Sequence, residues 1–271
     1  MKFKFLGVRG STASSDKGRN KIGANTTCID ILSKDNKRII LDAGTGIIKL
    51  SETIIKNKEK EVNIFLSHTH WDHIQGFPLF LPIFFEDFTI NIYGPYLKKF
   101  RLKDLFKIMM SYPFFPVELS EVKAKINFFE IKDNDELNIN GFKIKSKMHI
   151  HPVICYSYSI SNDNKKLTFS TDTEHFDKQL DDRVVEIAKN SDILIHDSQY
   201  FPHELKNRKG WGHSTFMEAI KVAKKSNSKF LYLFHHDPYR SDKDVYLMQS
   251  KAKKYFKNLK IASETKRYIK V

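Results

Sequence analysis

Four side chains able to bind a metal ion fall within six positions in Ser67-His68-Thr69-His70-Trp71-Asp72-His73. The preceding run, Val62-Asn63-Ile64-Phe65-Leu66, is apolar enough to be a buried strand ending at Ser67, which would set these side chains on a rigid strand end. His68 and His70, two apart, can reach the same side of a short extended loop, whereas Asp72 and His73 are adjacent and point apart. That spacing suits two metal ions, with His68 and His70 on the first and Asp72 and His73 on the second. Solvated histidines on a polar loop are the plain alternative. An H-x-H-x-D-H run directly after a buried strand arises by chance too rarely to favour it.

With Gly76 and Pro78 following in His73-Ile74-Gln75-Gly76-Phe77-Pro78, the motif resembles the signature of the metallo-β-lactamase superfamily. The resemblance implies an α/β fold, a four-layer αβ/βα sandwich with the metals at one rim, and further ligands drawn from later strand ends. Asp172 follows the strand pattern Leu167 to Ser170, where a carboxylate can bridge both ions with one oxygen each. His235 follows Phe230 to Phe234 and would finish the second site. His236 has the wrong strand-end phase and is expected to support the ligands or face the substrate. Between His149 and His151, the His151-Pro152 pair looks like the family's arrangement. The expected ligands are thus His68, His70, His151 and Asp172 on one ion, and Asp72, His73, Asp172 and His235 on the other. Asp42, in Asp42-Ala43-Gly44-Thr45-Gly46, sits in a tight turn and by the same resemblance supports the metal loop.

Two divalent ions, Zn2+ or alternatively Mn2+, about 3.5–4 Å apart can hold a hydroxide between them by lowering the pKa of water from about 15.7 towards 7. The target is then an ester-like centre: a phosphodiester, thioester or lactam. The β-lactamases of the superfamily use a cysteine in the second site, and Asp172 at the bridging position is instead similar to the phosphodiesterase and hydrolase branches. The turn Gly212-His213-Ser214-Thr215 precedes a helix marked by a Thr215/Glu218 capping box, where free amides and the helix dipole favour a phosphate. It resembles the His-Ser-Thr element of the tRNase Z family, whose histidine assists the leaving oxygen. His213 is expected to be a general acid or phosphate clamp, and Asp72 and His213 are the expected catalytic pair. A histidine merely satisfied inside the turn is the alternative.

Gly7-Val8-Arg9-Gly10-Ser11, Asn25-Thr26-Thr27-Cys28, the Tyr112 to Val117 stretch, Thr171-Asp172-Thr173-Glu174 and Leu233-Phe234-His235-His236-Asp237-Pro238 together look like bacterial and phage metal-dependent phosphodiesterases. That branch includes the cyclic-nucleotide-degrading anti-Pycsar enzymes. The expected substrate is a small anionic nucleotide, a 3′,5′-cyclic mononucleotide first; a tRNase Z-like RNA endonuclease and a nucleotide-sequestering binding protein are the alternatives. No long glycine- and proline-rich arm of the kind that grips transfer RNA is present, and Leu97 to Lys125 is short and aromatic instead. The resemblance also implies a homodimer. The Tyr112 to Val117 stretch could then be a lid, a dimer contact or core packing.

The elements that must position these residues fit one domain of 271 residues, with 41% hydrophobic and 13% aromatic content sufficient for a core. Two strand-rich halves are expected, each with its own helices, and several strands follow one another without intervening helices. Strand patterns cover the alternating start Met1 to Leu6, Thr27 to Leu32, Arg38 to Leu41, Phe88 to Tyr93, Ile126 to Ile131, Phe142 to Met148, Cys155 to Ile160, Asp192 to Asp197 and Lys260 to Ala262. Helical spacing appears from Ile47 to Ile55, over 101–111, over 179–190, after Thr215 and from Asp242 to Phe256. Only two cysteines, Cys28 and Cys155, lie in strand-like runs, which points to a reducing cytoplasm. No signal-peptide pattern or membrane span is seen, so no membrane partner is expected. The net charge of +14 favours anionic partners, nucleic acid included, although the lysines are spread and not clustered.

Overall fold

The computed structural model describes residues 1–177, 179–265 and 267–271. Chain order runs through β1 (Lys2–Gly7), β2 (Cys28–Leu32), β3 (Arg38–Leu41), α1 (Ser51–Lys56), β4 (Glu61–Phe65), α2 (Trp71–Ile74), β5 (Thr89–Pro95), α3 (Leu102–Met109) and β6 (Lys125–Ile131). The second half follows with β7 (Glu136–Ile139), β8 (Phe142–His149), β9 (Cys155–Asn162), β10 (Lys165–Ser170), α4 (Asp182–Ala188), β11 (Ile193–Asp197), α5 (Phe216–Lys225), β12 (Phe230–Phe234), α6 (Asp242–Lys253), β13 (Leu259–Ile261) and β14 (Ile269–Lys270).

Both halves obey one logic. Antiparallel neighbours come first: β1 to β3 in one sheet, with a long loop between β1 and β2, and β7 to β10 in the other, joined by short connections. Parallel strands then extend each sheet, β3 to β6 and β10 to β13, because a helix or long crossover carries the chain back to the starting edge. Two seven-stranded sheets result, ordered β14-β1-β2-β3-β4-β5-β6 and β13-β12-β11-β10-β9-β8-β7.

Burial follows the composition of each strand. Cys28-Ile29-Asp30-Ile31-Leu32 and Arg38-Ile39-Ile40-Leu41 are buried at every position, as strands covered on both faces must be. By contrast β8 alternates, with Phe142 and Ile144 inward and Lys143 and Lys145 in solvent. Between the sheets Phe5 meets Tyr232 edge-on at 5.2 Å and Phe65 meets Tyr158 edge-on at 5.8 Å. A separate apolar layer joins the outer face of the first sheet, through Ile40, Ile64 and Ile92, to Leu102 and Phe106 of α3 and to Phe77. With α4, α5 and α6 outside the second sheet, this is the expected four-layer sandwich.

The strands missed from the sequence, β7 and β14, are short: four residues of modest burial and two residues paired to β1. The helix expected from Ile47 starts as a 3-10 turn, Thr45–Leu50, before α1 takes over. Cys28 and Cys155 are both buried and unpaired, on different sheets. Among the described residues no helix is long and apolar enough to cross a membrane.

Candidate metal centre

The parallel strands of both sheets end at one rim, and the polar residues that follow them converge there. Three of those strand-end residues are non-glycine residues with left-handed backbone: Asp42 after β3 (φ 59°), Asp172 after β10 (φ 50°) and His235 after β12 (φ 60°). A backbone conformation that disfavours side chains, used three times at one edge, marks a place where the direction of a side chain outweighs local comfort.

Ring nitrogens of His68, His70 and His151 and a carboxylate oxygen of Asp172 lie within 4.8 Å of one another, and so do the ligating atoms of Asp72, His73, Asp172 and His235. Asp172 divides its oxygens between the two groups. Its Oδ1 is 3.2 Å from Nε2 of His73 and of His235, while Oδ2 is 3.7 Å from Nε2 of His68 and 3.9 Å from that of His151. This is the disposition a bridging carboxylate needs.

The remaining nitrogens are already engaged. His73 Nδ1 donates to Asp42 at 2.8 Å, His151 Nδ1 to the Gly212 carbonyl at 3.0 Å, and His235 Nδ1 to Gln199 Oε1 at 3.0 Å. His68 Nδ1 reaches Ser67 Oγ at 3.1 Å, and that hydroxyl in turn donates to Asp42 at 2.9 Å. Fixing Nδ1 as the donor leaves Nε2 as a lone pair aimed at the centre. His68 Nε2 is buried without any hydrogen-bond partner, and His73 Nε2 makes no well-formed hydrogen bond although two carboxylate oxygens lie 3.1–3.2 Å away, a costly state that a cation relieves.

The charges agree. Burial pushes His68 well below the ordinary imidazole range and His151 down to about 4, which keeps both in the neutral, lone-pair-donating form. For His73 burial works the same way, but Asp72, Asp172 and Asp42 overcome it and favour a positive charge at Nε2, which a bound cation can supply in place of a proton. Burial opposes the ionised forms of Asp72 and Asp172, yet the surrounding histidines hold both well below the usual carboxylate range. Three carboxylates thus focus a demand for positive charge on one buried spot. The His/Asp cluster fits a dinuclear divalent centre.

His213 adjoins this cluster. Its Nδ1 is 2.8 Å from Asp197 Oδ2 and 3.9 Å from Asp172 Oδ2, and its ring stacks at 5.0 Å on that of His235. Burial lowers its pKa, but the Asp197 carboxylate outweighs burial and carries it up to about 9. Asp197 Oδ1 accepts the amides of Gln199 and Ser214, which locks the pair.

Three sequence expectations need correcting. Asp72 and His73 do not point apart: residues 71–74 form a helical turn and not an extended loop, and His73 Nε2 lies 3.1 Å from Asp72 Oδ2. The start of α5 offers few free amides to a phosphate, because those of Ser214, Thr215, Phe216 and Glu218 are taken by Asp197, Glu218, Tyr200 and Thr215, which leaves that of Met217. His236 is 1% exposed and donates to the Ala262 carbonyl, so it ties down the end of β13 and does not face substrate. Of the Tyr112 to Val117 stretch, only Phe115 packs against the core; Tyr112 and Phe114 are largely in solvent. His149 lies just outside the cluster and holds the Asp172 carbonyl through Nε2. Sequence reasoning passed over Asp197, Gln199 and Glu174, whose carboxylate accepts the amides of Gly210 and Gly212. Asp197 had a usable signal, since it too closes a buried strand; Gln199 and Glu174 had none.

A family model described as "Beta-lactamase superfamily domain" matches residues 37–236. The chain is 26% identical to ribonuclease Z of Archaeoglobus fulgidus over an alignment of 320 positions, covering 97% of this chain and 95% of that protein. Among solved structures, the metallo-β-lactamase fold protein YhfI of Bacillus subtilis has a TM-score of 0.74 at 21% identity, covering 97% of this chain and 96% of that one. The short form of human tRNase Z (ELAC1) has a TM-score of 0.69 at 18% identity, covering 100% and 99%. Paired sheets flanked by helices, a rim of histidines and aspartates, and a match across most of the sequence lead to one assignment: the chain belongs to the β-lactamase superfamily domain family, as a metal-dependent hydrolase.

Proposed function

We propose that the protein is a dinuclear phosphodiesterase that opens 3′,5′-cyclic mononucleotides. The observation that carries this reading is the Asp172 carboxylate shared between two ligand groups, with the His213–Asp197 pair at its edge. His68, His70, His151 and Asp172 would hold one ion, and Asp72, His73, Asp172 and His235 the other. Bound there, two divalent ions would polarise a phosphodiester and lower the pKa of an attacking water.

The chain's own groups supply the rest. Asp72 Oδ2 accepts the Ser11 amide at 2.7 Å and stands 3.1 Å from His235 Nε2, so the loop after β1 fixes the carboxylate against the centre. With Nδ1 held by Asp197, His213 presents Nε2–H as the proton for the departing ribose oxygen as the P–O bond breaks. Because most amides at the start of α5 are occupied, His213 is the group assigned to the leaving oxygen.

Two features support a small substrate. The alignment with ribonuclease Z is longer than this 271-residue chain, so that relative has residues without a counterpart here. The segment between β5 and β6 also packs down onto the first sheet through α3 and projects no arm. The name of that relative favours a second reading, an RNA endonuclease. Purified protein with Zn2+ or Mn2+, offered 3′,5′-cyclic mononucleotides, cyclic dinucleotides and a transfer-RNA precursor, decides between them. Opening of the cyclic mononucleotides is expected; inertness towards every cyclic nucleotide with cutting of the precursor would overturn the first reading for the second. Nucleotide binding without turnover by the metal-loaded protein would instead reveal a sequestering protein.

A further inference from the structure

We infer that Trp71 and the apolar groove beside it receive the base of a nucleotide whose phosphate lies at the metal centre. The inference rests on the phosphodiesterase reading. The groove, of about 250 Å³, is lined by Thr69, Trp71 and Ile74 on one side and by Ile108, Met109 and Phe114 on the other. Thr69 and Trp71 alternate along the chain with His68, His70 and Asp72. Consecutive Cα atoms are about 3.8 Å apart, so the groove wall starts one residue from three side chains of the centre.

The chemistry of the two places is complementary. No lining residue of the groove is charged, so a phosphate has no reason to sit there, whereas the adjoining cluster calls for cations and hence for an anion. Sites for whole drug-sized ligands hold about 300 Å³ or more, and this groove falls short of that; it suits one ring system of a larger molecule. Trp71 is 61% exposed, Phe114 72% and Ile108 55%. Single exposed apolar side chains are ordinary, but three converging on one groove at the lip of a reactive centre form a surface built for an apolar face. An indole stacks on any base. Thr69 contributes the groove's one side-chain hydroxyl for a base edge, which leaves little to tell one base from another. The geometry therefore assigns substrates by the presence of a base more than by its identity.

The test compares binding of adenosine monophosphate and of ribose 5-phosphate to the Zn2+-loaded protein by calorimetry. The nucleotide is expected to bind about tenfold more tightly, as one stacked base provides. Trp71→Ala should erase that preference and Trp71→Phe should keep most of it. Ile108→Asp, on α3 and away from the metal-facing side chains, should erase it as well; this variant covers the case in which Trp71→Ala disturbs His70 or Asp72, which zinc content reports. Equal affinity of the wild-type protein for both ligands, or an undiminished preference in Trp71→Ala and Ile108→Asp, would overturn the inference. So would dissociation of an oligomer on Trp71→Ala, because a second copy of the chain would then cover the groove. Base binding is read without turnover, so failure to open cyclic nucleotides counts against the function reading alone.

Discussion

Asp197→Asn changes one atom of the pair that controls His213 while keeping its shape. Asp197 Oδ1 accepts two amides at 3.0 Å, from Gln199 and Ser214, so the asparagine carbonyl takes that side and its NH2 faces His213 Nδ1. The imidazole then accepts where it had donated, and the charge that favoured its protonated form is gone. The wild-type ring is carried up to about 9; without Asp197, burial is opposed only by the smaller contributions of Asp172 and Asp72, and the pKa falls towards the ordinary value. A fall from about 9 towards the ordinary value of about 6.5 is on the order of 3 kcal/mol of lost preference for imidazolium. At pH 7.5 the protonated fraction drops from nearly all to about a tenth, and kcat for a cyclic nucleotide should fall about tenfold or more. The alkaline limb of the rate profile should move to lower pH than in the wild type. A diester with a p-nitrophenolate leaving group needs no proton and should hardly change. The same pair has a stability signature: its contribution is fully present below about pH 6.5 and is lost as pH rises through about 9, and the variant should lack it. An unshifted alkaline limb in Asp197→Asn, or equal losses on both leaving groups, would refute the proton-donor role of His213.

Other expected outcomes concern the support around the centre. Asp42→Asn removes the charge that holds His73 and Ser67, and metal affinity measured by competition with a chelating dye should fall about 10- to 100-fold. Gly10→Ala would place a methyl 2.3 Å from the His235 ring, which Gln199 pins from the other side, so the second ion should bind about tenfold or more weakly while the first is kept. His175 is buried and its pKa is depressed to about 2, chiefly by burial. Its contribution to stability is therefore complete above about pH 6.5 and is lost as pH falls, about 2 kcal/mol by pH 5; denaturant unfolding of His175→Asn should show that much less acid sensitivity.

Much of this arrangement was legible in the sequence because strand ends are punctuated. Buried runs such as Asn63 to Leu66, Leu167 to Ser170 and Phe230 to Phe234 are short, β-branched or aromatic, and stop at a polar residue. Their ends therefore mark where parallel strands expose side chains at one rim. That is why His68, Asp172 and His235 could be grouped although they are far apart in the chain. The preference for His151 over His149 came from resemblance to a family pattern; the structure places the His151 ring in the cluster and leaves His149 under the Asp172 carbonyl. What stayed hidden depends on contacts that no periodicity encodes. Gln199 and Glu174 act through single hydrogen bonds across the fold, to His235 and to the amides of Gly210 and Gly212. The helical turn at 71–74 is too short to show a period, and without it Asp72 and His73 read as divergent. The occupied amides before α5 could not be foreseen either, since Asp197 at the end of β11 and Tyr200 in the loop after it reach them.

Equilibrium dialysis of the metal-stripped protein against Zn2+, with bound metal counted by elemental analysis, tests the paired centre most directly. Two ions per chain are expected for the wild-type protein, with both weakened in Asp172→Ala because that carboxylate faces each ligand group. A single ion or none in the folded wild-type chain, or two ions held undiminished by Asp172→Ala, would contradict it.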